Sequence, residues 1–153
     1  MNYWLMKSEP GTFSIDDLAA AKKSTTGWDG VRNFQARNYL REMKKGDLAF
    51  FYHSSCAVPG VAGIVKVVRE GYPDATAFDP QDDHYDPGSK KDNPRWYSVD
   101  VQLDRKFDEV IPLEQLRKYE KNKLKEMIVL KRGNRLSVTP VTKSEFDFIA
   151  SLA

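Results

Sequence analysis

Strand-forming runs fall at uneven intervals along this chain, and that unevenness limits the folds open to it more than any other feature. Tyr3–Lys7 (YWLMK) begins almost at the first residue, and Asp47–Tyr52 (DLAFFY) and Val61–Val68 (VAGIVKVV) follow, with a Pro59-Gly60 turn signal just before the latter. The last two are expected to pair. Further on, Tyr97, Val99, Val101 and Leu103 alternate with Trp96, Ser98, Asp100 and Gln102, the period of a strand with two different faces. A short strand is expected near Leu136–Val138. Helices fall between these runs: Ser14 caps Ile15-Asp16-Asp17-Leu18, a second helix spans about Asn33 to Met43 before Lys44-Lys45-Gly46, a third spans about Leu113 to Tyr119, and a last one starts near Ser144. Links this irregular do not fit repeated βαβ units. They fit an α+β fold, a small curved mixed β-barrel or half-barrel with surrounding helices. Its mouth, where loops and helix ends converge, is the usual place for a ligand.

With 153 residues, 41% hydrophobic and 12% aromatic, the chain is expected to form a single domain over residues 1–153 with a real core. The formal charge is only +2, so it is no basic polymer-coating protein, but the charge is unevenly placed. Residues 117–135 hold eight Lys or Arg against two Glu, a segment that attracts polyanions and is also a candidate surface for a protein partner. Residues 74–94 hold six Asp against two Lys, within a proline-rich stretch expected to be a long loop that repels polyanions. A single cysteine, Cys56, excludes an internal disulfide, and neither a signal-peptide pattern nor an apolar run of about 18 residues is present. A soluble, cytoplasmic protein without membrane contact is the expectation, nuclear if the source is eukaryotic. His53, Cys56 and His84 match no common zinc spacing, so neither metal nor cofactor is expected.

Recognition chemistry is concentrated in Gly27–Asn38 (GWDGVRNFQARN). Trp28 and Phe34 offer stacking faces, Asn33, Gln35 and Asn38 each donate and accept, and Arg32 and Arg37 present planar forks suited to phosphates or base edges. Each has a plainer role open to it: Trp28 as a loop tryptophan folded over the core, Asn33 as the N-cap of the second helix. On that helix Ala36, Leu40 and Met43 share one stripe, leaving Phe34, Arg37 and Arg41 on the other side, where Arg37 and Arg41 are candidate phosphate contacts or a solvated charged face. Tyr52, His53 and Ser54 close a strand and can project into the mouth, the tyrosine as a wall and the other two as edge readers. Trp96 is a candidate second wall, or packs beneath the acidic loop.

The motifs Tyr3–Pro10 (YWLMKSEP), Trp28–Asn38, Phe51–Ser54 (FYHS), Tyr72–Asp74 (YPD) and Arg135–Val141 (RLSVTPV), in this order, resemble the EVE domain family nearly end to end. The resemblance implies a PUA-like pseudobarrel whose pocket accepts a nucleobase turned out of its strand, methylated or hydroxymethylated cytosine in DNA being the leading ligand and modified RNA the other. It places the Lys7-Ser8 pair at the border of that pocket, while Arg135 and Ser137, in Arg-Leu-Ser-Val, read as a strand whose alternate residues face it, with Pro140 ending the pairing. Thr139 stands where the family often carries Gln, a departure that bears on ligand preference. No residue is expected to be catalytic. The competing reading is a hydrolase of acylated nucleosides, as in ASCH-type relatives of the superfamily, with Lys7, Ser8 and Glu9 as its candidates.

Overall fold

The computed structural model describes residues 1–153. Six strands, β1 (Tyr3–Ser8), β2 (Thr25–Gly27), β3 (Leu48–His53), β4 (Gly60–Pro73), β5 (Tyr97–Pro112) and β6 (Val138–Val141), form one sheet in the order β2-β5-β4-β3-β1-β6. β1 and β3 run parallel, and every other neighbouring pair is antiparallel. Four helices surround the sheet: α1 (Ile15–Ala20), α2 (Phe34–Glu42), α3 (Leu113–Arg117) and α4 (Lys143–Ser151). Ser14 and Asp17 close a capping box at α1, and Thr142 with Glu145 does the same at α4.

Strand periodicity sends alternate residues to two covered faces. Trp4, Met6, Ala49 and Phe51 join Leu18, Leu40 and Met43 from α1 and α2 and the turn after it, while Leu5, Phe50 and Tyr52 join Leu116, Leu124, Phe146 and Ile149 from α3, α4 and the segment between them. The two clusters hold 17 and 15 buried residues, so the sheet is packed on both sides. This is why β3 reads as a continuous apolar run instead of an alternating one. Each large side chain buried there contributes about 1.5–3 kcal/mol.

The sheet curls without closing. β4 carries an extra residue against β3 between Phe51 and Tyr52, and four register shifts interrupt the β4–β5 ladder; bulges of this kind bend and twist a strand. β2 and β6 remain as separate edges, so the curved mixed barrel read from the sequence is an open pseudobarrel. At Gly60 a Cβ would collide with the Ile111 backbone, so the close approach of β4 to β5 needs a glycine there.

β4 runs on to Pro73, past the Val61–Val68 run, and three further elements differ from the sequence reading. β2 carries no apolar signal because its residues, Thr-Thr-Gly, are held by pairing with β5 and by the Gln102 Nε2–H donated to the Lys23 carbonyl (3.0 Å). β5 runs on to Pro112, well past the alternating stretch. β6 begins at Val138 and not at Leu136, because Gly133 takes a left-handed φ of 75° and the Asn134 side chain accepts from Leu136 N (3.0 Å), which holds the preceding residues in a turn.

Candidate nucleic-acid interface

The parallel strands β1 and β3 end side by side, with Ser8 opposite His53, and Ser54 N donates to the Ser8 carbonyl (2.9 Å). Lys7 N donates to the Ser137 carbonyl (2.8 Å), which ties the turn before β6 to the same strand end. Between these strand ends, α3 and the 129–134 segment lies a cavity of about 530 Å³. Lys7, Tyr52, Ser54, Arg117, Arg132 and Asn134 are among the residues that line it, together with Lys131. Asn134 is fixed by its side-chain N–H donated to the Ile128 carbonyl (3.0 Å). No aspartate, glutamate or histidine lines the space.

The cavity is therefore electropositive. Arg117 and Lys131 have only loose carboxylate neighbours, Glu120 at 3.6 Å and Glu126 at 4.0 Å, and neither Lys7 nor Arg132 forms an ion pair. Burial lowers the Lys7 ammonium from its ordinary value. Burial also pushes the Tyr52 phenol up to about 12, against the pull of Arg117, so its hydroxyl keeps its proton at neutral pH and can donate. The arrangement offers a ring, neutral hydroxyls, an amide and several cations to one small volume. A flat anionic ligand with polar edges matches that set.

Of the residues singled out in the sequence, the structure brings Lys7, Tyr52 and Ser54 to this cavity. Others have work elsewhere. Trp28, expected to offer a stacking face, is instead 7% exposed and packs edge-on against Phe51 (5.4 Å) in the core beneath α1 and α2. Arg32 spends its fork on Asp74 (2.9 Å), Thr76 Oγ1 (3.1 Å) and the His84 carbonyl (2.7 Å). Asn33 is the N-cap of α2, its side-chain oxygen accepting from Ala36 N (2.9 Å). His53 turns to the opposite face of the sheet, where Nε2 accepts from Ile15 N (3.1 Å) at the start of α1; burial lowers its pKa against the opposing pull of Asp16. Ser8 Oγ donates to the Phe13 carbonyl (2.6 Å).

Trp96 is buried under the long loop, stacked on Phe34 (4.9 Å) and donating to Asp86 (2.6 Å). Arg135 and Ser137 precede β6, so they do not alternate on a strand; Arg135 is exposed and Ser137 contributes its carbonyl to Lys7. Thr139 is buried in β6 opposite Leu5 and does not line the cavity. Arg37 lies over the Phe34 ring (4.9 Å) and Arg41 over the Tyr97 ring (4.5 Å), both away from the cavity. Glu9 is exposed and does not line it either. No group of three His, Cys, Asp or Glu side chains is placed to hold a metal, and no helix is long and apolar enough to cross a membrane.

Arg117, Lys131, Arg132 and Asn134 are the lining residues that residue-by-residue reading passed over. Their signal was the basic run 117–135, which says that cations are dense but not which of them converge.

The EVE domain model matches residues 2–152. Human Thymocyte nuclear protein 1 is 51% identical over 166 residues, covering 99% of this chain and 73% of that protein. The crystal structure of human THYN1 protein in complex with 5-methylcytosine-containing DNA aligns with a TM-score of 0.94 at 51% identity, over 99% of this chain and 97% of that one. A protein from Pseudomonas putida aligns with a TM-score of 0.93 at 46% identity, over 98% of each chain.

Proposed function

Because the chain belongs to the EVE domain family, we propose that it is a non-catalytic nucleic-acid-binding module that draws a modified base out of its strand into the cavity at Lys7, Tyr52 and Asn134. Methylated or hydroxymethylated cytosine in DNA is the leading ligand. The human relative in complex with 5-methylcytosine-containing DNA supports this choice. The observation that carries the reading is the cavity itself: about 530 Å³, within the ~300–1,000 Å³ range of small-ligand sites, lined with cations and free of carboxylates.

The side chains divide the task by chemistry. Tyr52 supplies a wall, Ser54 and Asn134 offer edges that donate and accept, and Arg117, Lys131 and Arg132 meet the phosphates on either side of the base. Three cations of the basic 117–135 segment thereby have a role towards the polynucleotide. Extruding a base costs a few kcal/mol, which cavity contacts and phosphate pairing must offset together, so a free nucleoside binds more weakly than a strand.

Fluorescence anisotropy tests this with strands that differ only in one 5-methylcytosine. The chain is expected to prefer the modified strand, Asn134→Ala to lose that preference, and Arg132→Gln to weaken both strands alike. Equal affinity of the unaltered chain for the two strands overturns the specificity. The one feature that favours the hydrolase reading is the Lys7 amine, whose pKa burial lowers towards the range of a general base. With Glu9 outside the cavity, Lys7 has no carboxylate partner there; turnover of an acylated nucleoside that disappears in Lys7→Ala decides for the enzyme.

A further inference from the structure

On the face of the sheet opposite the cavity, α2 and the long 74–96 loop enclose a smaller cleft of about 260 Å³. Phe34, Arg37, Lys90, Asn93 and Arg95 line it. Phe34 is 55% exposed, a costly placement for a phenylalanine, and it is stacked on Trp96 with the Arg37 guanidinium over its ring. Arg32 lies over Trp96 in turn (5.3 Å), so cations and rings form a continuous ladder.

The loop that supplies half of this cleft holds six aspartates, yet none of them lines it. Four are already occupied. Asp74 takes Arg32 and the Gly30 and Thr76 N–H groups, Asp79 takes Gln81 N, Asp82 takes His84 N, and Asp86 takes Gly88 N together with Trp96 and Arg95. With these four acids spent in this way, Arg37 and Lys90 face the opening beside Arg95, which is itself paired with Asp86 (3.0 Å), and Arg37 is aimed there by donating to the Arg95 carbonyl (3.0 Å).

From this we infer an additional nucleic-acid contact: the cleft holds a sequence-independent stretch of the strand's phosphodiester backbone, with an unpaired base resting against the Phe34–Arg37 pair. It rests on the reading of the chain as a nucleic-acid binder. The occupant follows from the charge, Arg37 and Lys90 without carboxylate partners beside an Arg95 shared with Asp86, and from the flat Arg37 guanidinium held on the Phe34 ring, which gives bases a stacking partner of any identity. A 153-residue domain has a radius of gyration of about 15 Å, so sites on opposite faces are further apart than one or two nucleotides reach. Only a longer strand occupies both.

The test compares a trinucleotide centred on 5-methylcytosine with a 20-nucleotide strand containing it, for the full chain and for the double variant Arg37→Gln, Lys90→Gln. Lys90 is exposed and Arg37 half-buried, and a matching thermal melt confirms folding. The long strand is expected to bind the variant about tenfold more weakly, with the salt slope shallower by about 1.4, and the trinucleotide to bind both proteins equally. Phe34→Ala is expected to weaken the long strand without changing the slope. Unchanged long-strand affinity and slope overturn the contact, as does a loss of affinity for polyglutamate alone, which would make the cleft an acidic-protein site. The cavity variants Asn134→Ala and Arg132→Gln weaken both strand lengths if the base reading holds. If they affect neither while the cleft variant affects the long strand, the base reading falls and the cleft contact stands; a chain that binds no strand overturns both.

Discussion

Two stretches of this chain, Gly27–Asn38 and the 129–134 segment, exchange roles between sequence and structure. The former is dense in rings, amides and guanidinium forks, whereas residues 129–134 read as part of a solvated basic run. In the fold, Trp28 is core, Arg32 is bound to Asp74 and Asn33 caps a helix, so most of the bonding capacity of Gly27–Asn38 is already used. Arg132 has no ion-pair partner, and Asn134, which gives one side-chain N–H to the Ile128 carbonyl and accepts from Leu136 N, keeps its second N–H and an oxygen lone pair for the cavity. A side chain recognises a ligand with the capacity its own fold leaves over. Sequence shows the groups but not their partners.

The sharpest way to break this contrast is Trp28→Ala. If the ring is core, the substitution leaves a cavity against Phe51 and costs about 3–5 kcal/mol in a denaturant titration. Unchanged stability with lost binding would restore Trp28 to the ligand. Next comes Arg32→Ala, which leaves a fully buried carboxylate without its ion-pair partner and is expected to cost about 3 kcal/mol near neutral pH. The pH dependence sharpens this prediction. Burial raises the Asp74 carboxyl, but the bonds from Thr76, Gly30 N and Arg32 outweigh it and hold the group below its usual range. Its stabilisation is thus present above the unfolded-state value of about 3.9 and disappears as the pH falls through the lower folded-state value. Melts followed into acid are expected to show the gap between the unaltered chain and Arg32→Ala closing below about pH 4. A gap that stays constant contradicts the pairing.

Smaller effects separate scaffold from site. Asn33→Ala is expected to cost about 1 kcal/mol through loss of the cap and to leave strand affinity alone. Arg132→Gln should do the reverse: stability within about 0.5 kcal/mol, and a binding salt slope shallower by roughly 0.7 on single strands. If Asn33→Ala reduces affinity more than Arg132→Gln does, the two stretches have been assigned the wrong way round.

The fold was largely legible because its signals are local. The apolar runs of β1, β3 and β4, the Ser14 cap and the Ala36–Leu40–Met43 stripe each specify an element without help from distant residues. What escaped is tertiary. β2 has no signal until β5 pairs with it, and the start of β6 is set by the turn at Gly133 and Asn134. Tyr52 and Lys7 were readable as strand ends facing a mouth, since β1 and β3 finish together. His53, the neighbour of Tyr52, follows the strand's alternation to the other face, where an amide of α1 takes its ring nitrogen. The aspartates of the 74–94 loop suggested a repulsive surface because turn bonds that absorb a carboxylate cannot be counted from composition.

Backbone amide shifts, recorded while the chain is titrated with a strand carrying one 5-methylcytosine and then with its unmodified counterpart, test the central claim most directly. The account predicts that the difference between the two titrations is concentrated at Ser54, Ser55, Gly133 and Asn134, with Trp28, Asp29 and Gly30 unmoved. A difference concentrated at Trp28–Gly30, with the cavity amides silent, contradicts it.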